Sequence, residues 1–361
     1  MARKARATID LGAILGNYLL AKKVAANAKA LAVVKADAYG HGSVEVSKVL
    51  NDHADGLGVA TIEEAIELRD AGITAPINLL EGFFDRSELP LIDELNLGTV
   101  LHTEEQLEDF LAYPFQHAIN TWAKFDTGMG RLGFAIDQLE HVYRRLKGAE
   151  NVAELVLMTH FARADELDVD MTSKQMQQFM QLTKSMQAGL SMANSAGVLA
   201  WPQSHVDWVR PGIMLYGASP FEQDNSAAEP LRAAMTLRSE IIAIHDIPKG
   251  GTIGYGSRYT CPKDMRIAVV AMGYGDGYPR SASDGTPLAV DGVRTQLVGR
   301  VSMDMITIDC TDIPGARIGS PVELWGNQIS VNEVAACSDT ISYELLTRRT
   351  NRVPRDYLLS D

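Results

Sequence analysis

Residues 29–35 read Lys-Ala-Leu-Ala-Val-Val-Lys, and the next seven are Ala-Asp-Ala-Tyr-Gly-His-Gly (36–42). Five apolar residues between two lysines are too short a run for a helix and show no polar alternation. That is the signature of a strand buried on both faces. The glycine-flanked stretch after it ends the strand at Lys35 and turns the chain into a loop. A strand covered on both faces needs helices above and below, which means a parallel sheet with helical crossovers.

The same texture repeats on the C-terminal side. Short apolar runs occur at 56–60, 77–80, 99–102, 121–126, 155–160, 190–194 and 209–215. Helical periodicity fills the gaps at 62–71, 104–111, 137–147 and 173–186. Eight strand–helix units over some 230 residues predict an α/β fold with an N-terminal (β/α)₈ barrel. An open doubly wound sheet would need a G-x-G-x-x-G turn after its first strand for a dinucleotide, and none is present. Upstream, 11–21 reads as an amphipathic helix with Asp10 as its N-cap and Leu11, Ile14, Leu15, Tyr18 and Leu19 as its apolar stripe. Asp10 and Asn17 interrupt the apolar character, which argues against a secretion signal.

Beyond Pro220 the pattern changes. A polar stretch at 221–231 reads as a linker. Short β-type runs then follow at 240–244, 267–271, 295–298, 305–308 and 321–324, with helical patterns only at 331–337 and 342–347. The predicted organisation is a barrel over 1–230 and a mostly β C-terminal domain over 231–361. A length of 361 residues suits two such units. The 33 Lys and Arg against 46 Asp and Glu leave a formal charge of −13. That balance argues against nucleic acid or an anionic membrane as a partner, while leaving room for one phosphate in a local pocket. Three scattered cysteines are too few for a disulfide framework or a zinc site, so no metal is expected and the expected compartment is the reducing cytoplasm. No apolar run approaches the roughly 18 residues of a membrane-spanning helix.

Chemistry concentrates at Lys35. A lysine at the C-terminal end of a barrel strand stands where barrel enzymes place their reacting groups. Burial there disfavours the ammonium form and frees an amine able to condense with an aldehyde cofactor. By itself, a strand-end lysine more often only snorkels to solvent. The neighbours alter that weighing, because VVKADAYGHG (33–42) resembles the pyridoxal-phosphate signature of the alanine racemase family. Further segments recur in that family's order: KFDTGMGRLGF (124–134), MTHFARADE (158–166), MANSAG (192–197), VRPGIMLYG (209–217), IGYGSRYT (253–260), GYGDGYPR (273–280), GRVSMDM (299–305) and RVPR (352–355).

Carried over position by position, the resemblance implies that Lys35 holds pyridoxal 5'-phosphate covalently and acts as one acid/base group. Tyr255, from the second domain, is implied as the other. Two groups suit the chemistry, since inverting a stereocentre by proton transfer removes a proton on one face and returns one on the opposite face. Arg258 is a nearby cation in sequence that could support Tyr255. Arg210 is implied to face the cofactor's ring nitrogen; an arginine there only donates, which weakens the electron sink and disfavours transamination. His160 is implied to hydrogen-bond Arg210 beside the cofactor ring. Tyr39, Ser195, Gly212 and Ile213 correspond to phosphate contacts, and Arg131 to the contact for the substrate carboxylate. Lys124 corresponds to a lysine that is carbamylated in relatives and braces that arginine, with Asp126 on the same strand end. Met303 and Asp304 fall in a loop that reaches across a dimer interface in relatives, where the Met303 N–H meets the substrate carboxylate, and Tyr274 would line the entrance.

The resemblance therefore implies a homodimer with shared sites, interconverting L- and D-alanine and supplying D-alanine for peptidoglycan. Alternatives from the same residues are a broad-specificity amino-acid racemase on this scaffold and a non-catalytic pyridoxal-phosphate-binding barrel. Two positions depart from the usual pattern: Ser302, where many relatives have Cys, and Asn351, where some carry Tyr.

Overall fold

The computed structural model describes residues 3–360. Eight parallel strands close into a barrel: Lys29–Val33, Gly56–Val59, Ile77–Leu79, Gly98–Leu101, Ile119–Asp126, Val152–Met158, Gly189–Ser191 and Trp208–Val209. Closure is explicit in the pairing, since Trp208 and Val209 sit beside Lys29 and Ala30 of the first barrel strand. Each expected apolar run thus becomes a barrel strand, usually one to three residues shorter at its C-terminal end than the apolar run itself. Those last residues, Lys35 and His160 among them, lie beyond the ladder and carry the loops. Leu31, Val100, Trp122, Val156, Met158 and Trp208 fill the barrel interior, with the two indole rings edge to face at 5.3 Å. The barrel is therefore a packed core and any cavity must lie at its mouth.

The helix Leu11–Val24 forms as expected, with the Asp10 carboxylate accepting from the Ala13 N–H. Its buried face keeps the expected stripe except at Leu19, with Leu11 and Leu15 packed against the core. Ile14, Asn17, Tyr18 and Ala21 are buried, whereas Leu19 is exposed. Asn17, which interrupts the apolar pattern, is itself buried and donates to the carbonyls of Leu215 and Arg232 while accepting from the Arg232 N–H. Its amide ties the helix to the chain leaving the barrel, a role that a hydrophobicity pattern does not reveal.

The C-terminal domain is mostly β. Its sheet centres on the long strand Met235–Ile247, flanked by Pro321–Trp325 and Met265–Val270, and extends to Pro287–Val290, Val293–Gln296 and Ile306–Asp309. The strand Arg6–Asp10 also belongs to this sheet, antiparallel to Met235–Ile247 and parallel to Arg355–Leu358. Both ends of the chain thus enter the C-terminal sheet, and the last strand is brought under the mouth of the barrel. No helix among the described residues is long and apolar enough to cross a membrane.

Candidate active site

Lys35 follows the first barrel strand and opens a turn of unusual backbone. Ala36, Asp37, Ala38 and Tyr39 all take φ between 51° and 56°, and Gly40 follows at 80°. Four consecutive non-glycine residues in the left-handed region cost about 4–8 kcal/mol in total at roughly 1–2 kcal/mol each. Such a turn persists only where its surroundings over-determine it. Here the Ala36 N–H donates to Glu64 Oε1 at 2.7 Å, and His41 Nδ1 donates to the carbonyls of Ala38 and Tyr39 at 3.1 and 2.9 Å. Glycine is required at 40, where a Cβ would stand 2.1 Å from the Leu346 carbonyl oxygen. The turn sends the Lys35 side chain and the Tyr39 ring into one cavity of about 380 Å³ at the barrel mouth.

That cavity gathers Lys35, Tyr39, Lys124, Arg131, His160, Ser195, Arg210, Gly212 and Ile213, nine of the residues singled out in the sequence. It adds Glu81, Leu132, Asn194 and Tyr343, among others, which the sequence reading did not identify. Four cations against one carboxylate make the pocket locally positive within a chain of charge −13, which suits an anionic occupant. The carboxylate is Glu81, whose Oε1 lies 3.3 Å from Lys35 Nζ.

Arg210 lies deepest of these cations, only 4% exposed. Its Nη1 donates to Ser191 Oγ at 2.6 Å, and Nη2 to the carbonyls of Thr159 and Met192 at 2.8 and 3.3 Å. Nη2 also stands 3.2 Å from His160 Nδ1. Burial pushes this guanidinium down to about 10, still far above neutrality, so it remains a cation. Burial first, and then the charges of Arg210, Lys124, Arg131 and Lys35, hold His160 well below its ordinary value. A neutral imidazole facing a guanidinium must accept at Nδ1, which places its proton on Nε2.

Lys124 lies two residues before the end of the fifth barrel strand and is 6% exposed. Burial, reinforced by Arg210, Arg131 and Lys35, brings its amine down to about 8. A substantial neutral fraction therefore exists near physiological pH. The next turn carries Arg131 and is organised by Asp126, whose carboxylate accepts from the N–H groups of Gly128, Met129 and Gly130 at 2.8–2.9 Å. Asp126 shapes this turn from the strand end and is not among the residues lining the cavity.

On the opposite rim, Ser195 Oγ accepts from the N–H groups of Gly212 and Met214 at 2.9 and 3.3 Å, so its own O–H is available to donate. A Cβ at Gly212 would come 2.8 Å from Tyr39 Oη. Only glycine lets that hydroxyl approach the backbone there. Tyr39 stacks on Tyr216 at 4.8 Å, and burial raises its hydroxyl to about 12, so it is a neutral donor. Hydroxyl donors at one end, a buried arginine lower down and a lysine at the strand end together fit an aldehyde cofactor carrying a phosphate and a ring nitrogen. Tyr343 packs 6.0 Å from the Tyr39 ring and closes that side. Only its placement in a short helix was legible in the sequence.

The C-terminal candidates are elsewhere. Tyr255 is 70% exposed at the tip of the hairpin Thr252–Ile253/Tyr259–Thr260, between Gly254 and Gly256, both at φ 73°. Met303 is 53% exposed, and Asp304 pairs with Arg352 at 2.6 Å. Tyr274 is half-buried, and its N–H donates to the Ser302 carbonyl. None of the four lines the cavity of its own chain. The GYGDGY stretch, which could be mistaken for a nucleotide loop, instead buries Asp276 against Arg3 at 2.5 Å.

Residues 9–220 match the sequence profile described as "Alanine racemase, N-terminal domain", and residues 234–357 match "Alanine racemase, C-terminal domain". The chain is 52% identical over 356 residues to a protein of Pseudomonas putida named "Alanine racemase, catabolic", covering 99% of both. The biosynthetic alanine racemase of Pseudomonas aeruginosa superposes with a TM-score of 0.95 at 48% identity, covering 99% of each chain. The alanine racemase of Bartonella henselae, solved with covalently bound pyridoxal phosphate, gives 0.88 at 28% identity, covering 98% of this chain and 99% of that one. With a closed barrel, a lysine at its first strand end and matches that together span nearly the whole length, this chain belongs to the alanine racemase family of isomerases.

Proposed function

We propose that this chain interconverts L- and D-alanine with pyridoxal 5'-phosphate, in a site completed by a second copy of itself. The observation that carries the reading is Lys35 at a strand end, sharing one positive cavity with Arg210, Lys124 and Arg131. The Bartonella henselae relative supports the choice of cofactor. Lys35 would hold it, Tyr39, Ser195, Gly212 and Ile213 would bind its phosphate, and Arg210 and His160 would sit against its ring. When bound, the cofactor supplies an electron sink that loosens the Cα–H bond of the amino acid.

This chain's own residues do the rest. Arg131 binds the alanine carboxylate, and the Met303 N–H of the partner subunit adds a second contact. Lys35 Nζ moves the proton on one face of Cα, and Tyr255 of the partner subunit moves it on the other. Lys124, near pH 8 partly neutral, can add to carbon dioxide and lose a proton, so that its nitrogen becomes an anionic carbamate that braces Arg131. Asp304 and Tyr274 of the partner would frame the entrance. The part before residue 230 would then supply most of the cofactor pocket, with Tyr343 lining it from the second part, and the second part would also complete the neighbouring site.

Exposure of Tyr255 and Met303, away from the cavity, is what supports a homodimer. The test is complementation. Lys35→Ala and Tyr255→Phe proteins are each expected to be nearly inactive, and subunit exchange between them should restore activity, because one of the two mixed sites regains both native groups. A mixture that stays as inactive as its parts overturns the shared site. Comparing rates on alanine, serine, lysine and arginine separates this reading from a broad-specificity racemase.

Physiologically, the reading is cytoplasmic supply of D-alanine for peptidoglycan, in line with the name of the biosynthetic Pseudomonas aeruginosa relative. The Pseudomonas putida relative, named catabolic, favours a second reading in which racemisation serves the breakdown of alanine. A deletion strain that grows only with added D-alanine supports the first; one that grows without it but cannot use one enantiomer of alanine as a nutrient supports the second.

A further inference from the structure

The left-handed turn that carries Lys35 and Tyr39 is held from outside the barrel, and the holder is the last strand of the chain. Asp37, in the middle of the turn, accepts two hydrogen bonds from the Arg355 guanidinium, at 3.1 and 2.6 Å. Arg349 approaches the same carboxylate at 3.8 Å, and the Ser43 N–H donates to its Oδ1 at 3.0 Å. Arg355 opens the strand Arg355–Leu358, which is registered against Arg6–Asp10 in the C-terminal sheet. The fit is close: a Cβ at Gly42 would meet Tyr357 Oη at 2.0 Å and Arg355 Nη1 at 2.5 Å. Neither Asp37 nor Arg355 lines the cavity.

We propose that the Asp37–Arg355 pair is a positioning latch: the C-terminal strand pins the strained turn, so that Lys35 and Tyr39 are presented to the cofactor together. The inference rests on the reading above, in which these two residues hold pyridoxal phosphate. Planarity of the guanidinium matters, because two parallel N–H groups on one carboxylate fix its orientation as well as its distance. A turn of non-glycine residues released from that fork relaxes toward right-handed backbone, which swings Tyr39 away from Gly212 and Lys35 away from the strand axis. The cost falls on cofactor retention, while the barrel itself, which is closed without this strand, stays folded.

The experiment uses the full-length holoenzyme and its cofactor-free form. Asp37→Asn, Arg355→Met, the double variant and Arg355→Lys are titrated with pyridoxal phosphate, reading the visible absorbance of the bound cofactor, and each apoprotein is melted separately. Each single variant is expected to bind the cofactor about tenfold or more weakly, and the double no more weakly than the poorer single, as for two ends of one interaction. Arg355→Lys should fall between wild type and Arg355→Met. Apoprotein melting within a few degrees of wild type accompanies this result. Wild-type cofactor affinity in Asp37→Asn and Arg355→Met overturns the latch, as do losses that simply multiply in the double variant. A drop in melting temperature with unchanged cofactor affinity also overturns it, since that is what a merely structural pair would give. If wild-type protein shows no uptake of pyridoxal phosphate, the cofactor reading itself falls, and the latch with it.

Discussion

Nη2 of Arg210 donates to Nδ1 of His160 across 3.2 Å, and the other donor bonds of that guanidinium end on Ser191 Oγ and the carbonyls of Thr159 and Met192. Every one of these partners accepts, so the arginine is locked as a cation that donates and never yields its proton. Replacing it with lysine changes both properties, because an ammonium lacks the fork and, when buried, gives up its proton readily. Arg210→Lys should lose about 1–3 kcal/mol for each acceptor left unpaired. It should also lower racemisation at least tenfold and let some turnovers end in transamination. Loss of visible cofactor absorbance during prolonged incubation with D-alanine measures the side reaction; a variant with wild-type rate and undiminished absorbance would remove Arg210 from control of the outcome.

Tyr255 belongs to a proposed pair of bases acting on opposite faces, so its removal should be one-sided. Tyr255→Phe is expected to lower racemisation by roughly 10²–10⁴, the usual worth of a positioned acid or base. Proton exchange at Cα by Lys35 alone should survive. In deuterium oxide, one enantiomer of alanine should therefore exchange its α-hydrogen without inverting, while the other exchanges slowly. Equal slowing of exchange for both enantiomers counts against the assignment of separate faces.

Lys124 links pH to stability. Its amine, near 10.5 in the unfolded chain, is brought down to about 8 in the fold, chiefly by burial. Below pH 8 the amine is charged in both states and the folded protein bears the full cost of the buried charge. As pH rises from about 8 to 10.5 the folded state loses its proton first, so that cost disappears, worth up to about 3 kcal/mol at 1.36 kcal/mol per unit. Urea unfolding of the cofactor-free protein under carbon-dioxide-free conditions should show stability climbing across this window relative to Lys124→Met. Parallel curves for the two proteins would contradict it.

His41 predicts the opposite limb. It is fully buried against Tyr216 at 4.5 Å, and burial lowers it to about 4. Its stabilising neutral form is complete above pH 6.5 and is lost as pH falls toward 4, because the unfolded chain takes up the proton first. The shift corresponds to roughly 3 kcal/mol. Denaturant midpoints measured from pH 7 to 4.5 should fall more steeply for wild type than for His41→Phe, which keeps a ring and removes the titration.

How much of this was legible beforehand depends on the range of the interaction. The barrel strands and most of the crossover helices were readable, since burial on two faces or on one stripe leaves its period in local composition. The strand Arg6–Asp10 was not, because five residues of mixed polarity are a strand only through their partners at 235–247 and 355–358. The burial of Asn17, legible only as a break in the apolar run, was hidden for the same reason: its amide is satisfied by carbonyls some two hundred residues away. Glu81 and Tyr343 carry no motif, and only the barrel mouth and the C-terminal helix Ser342–Thr347 packed against it bring them to Lys35 and Tyr39.

Sequence alone was enough to identify the barrel, the family and the residue types for its chemistry, because Lys35, Arg210 and Ser195 each sit at the end of a readable strand. Tertiary structure decided which of them meet. It brought nine candidates to one cavity and left Tyr255 and Met303 exposed outside it. It also put Asp37 and Arg355, 318 positions apart, within hydrogen-bonding distance. The physical reason is that periodicity records only whether a residue is buried. A left-handed turn of alanines, an aspartate and a tyrosine has no local preference to record, and it exists because distant groups outweigh its strain.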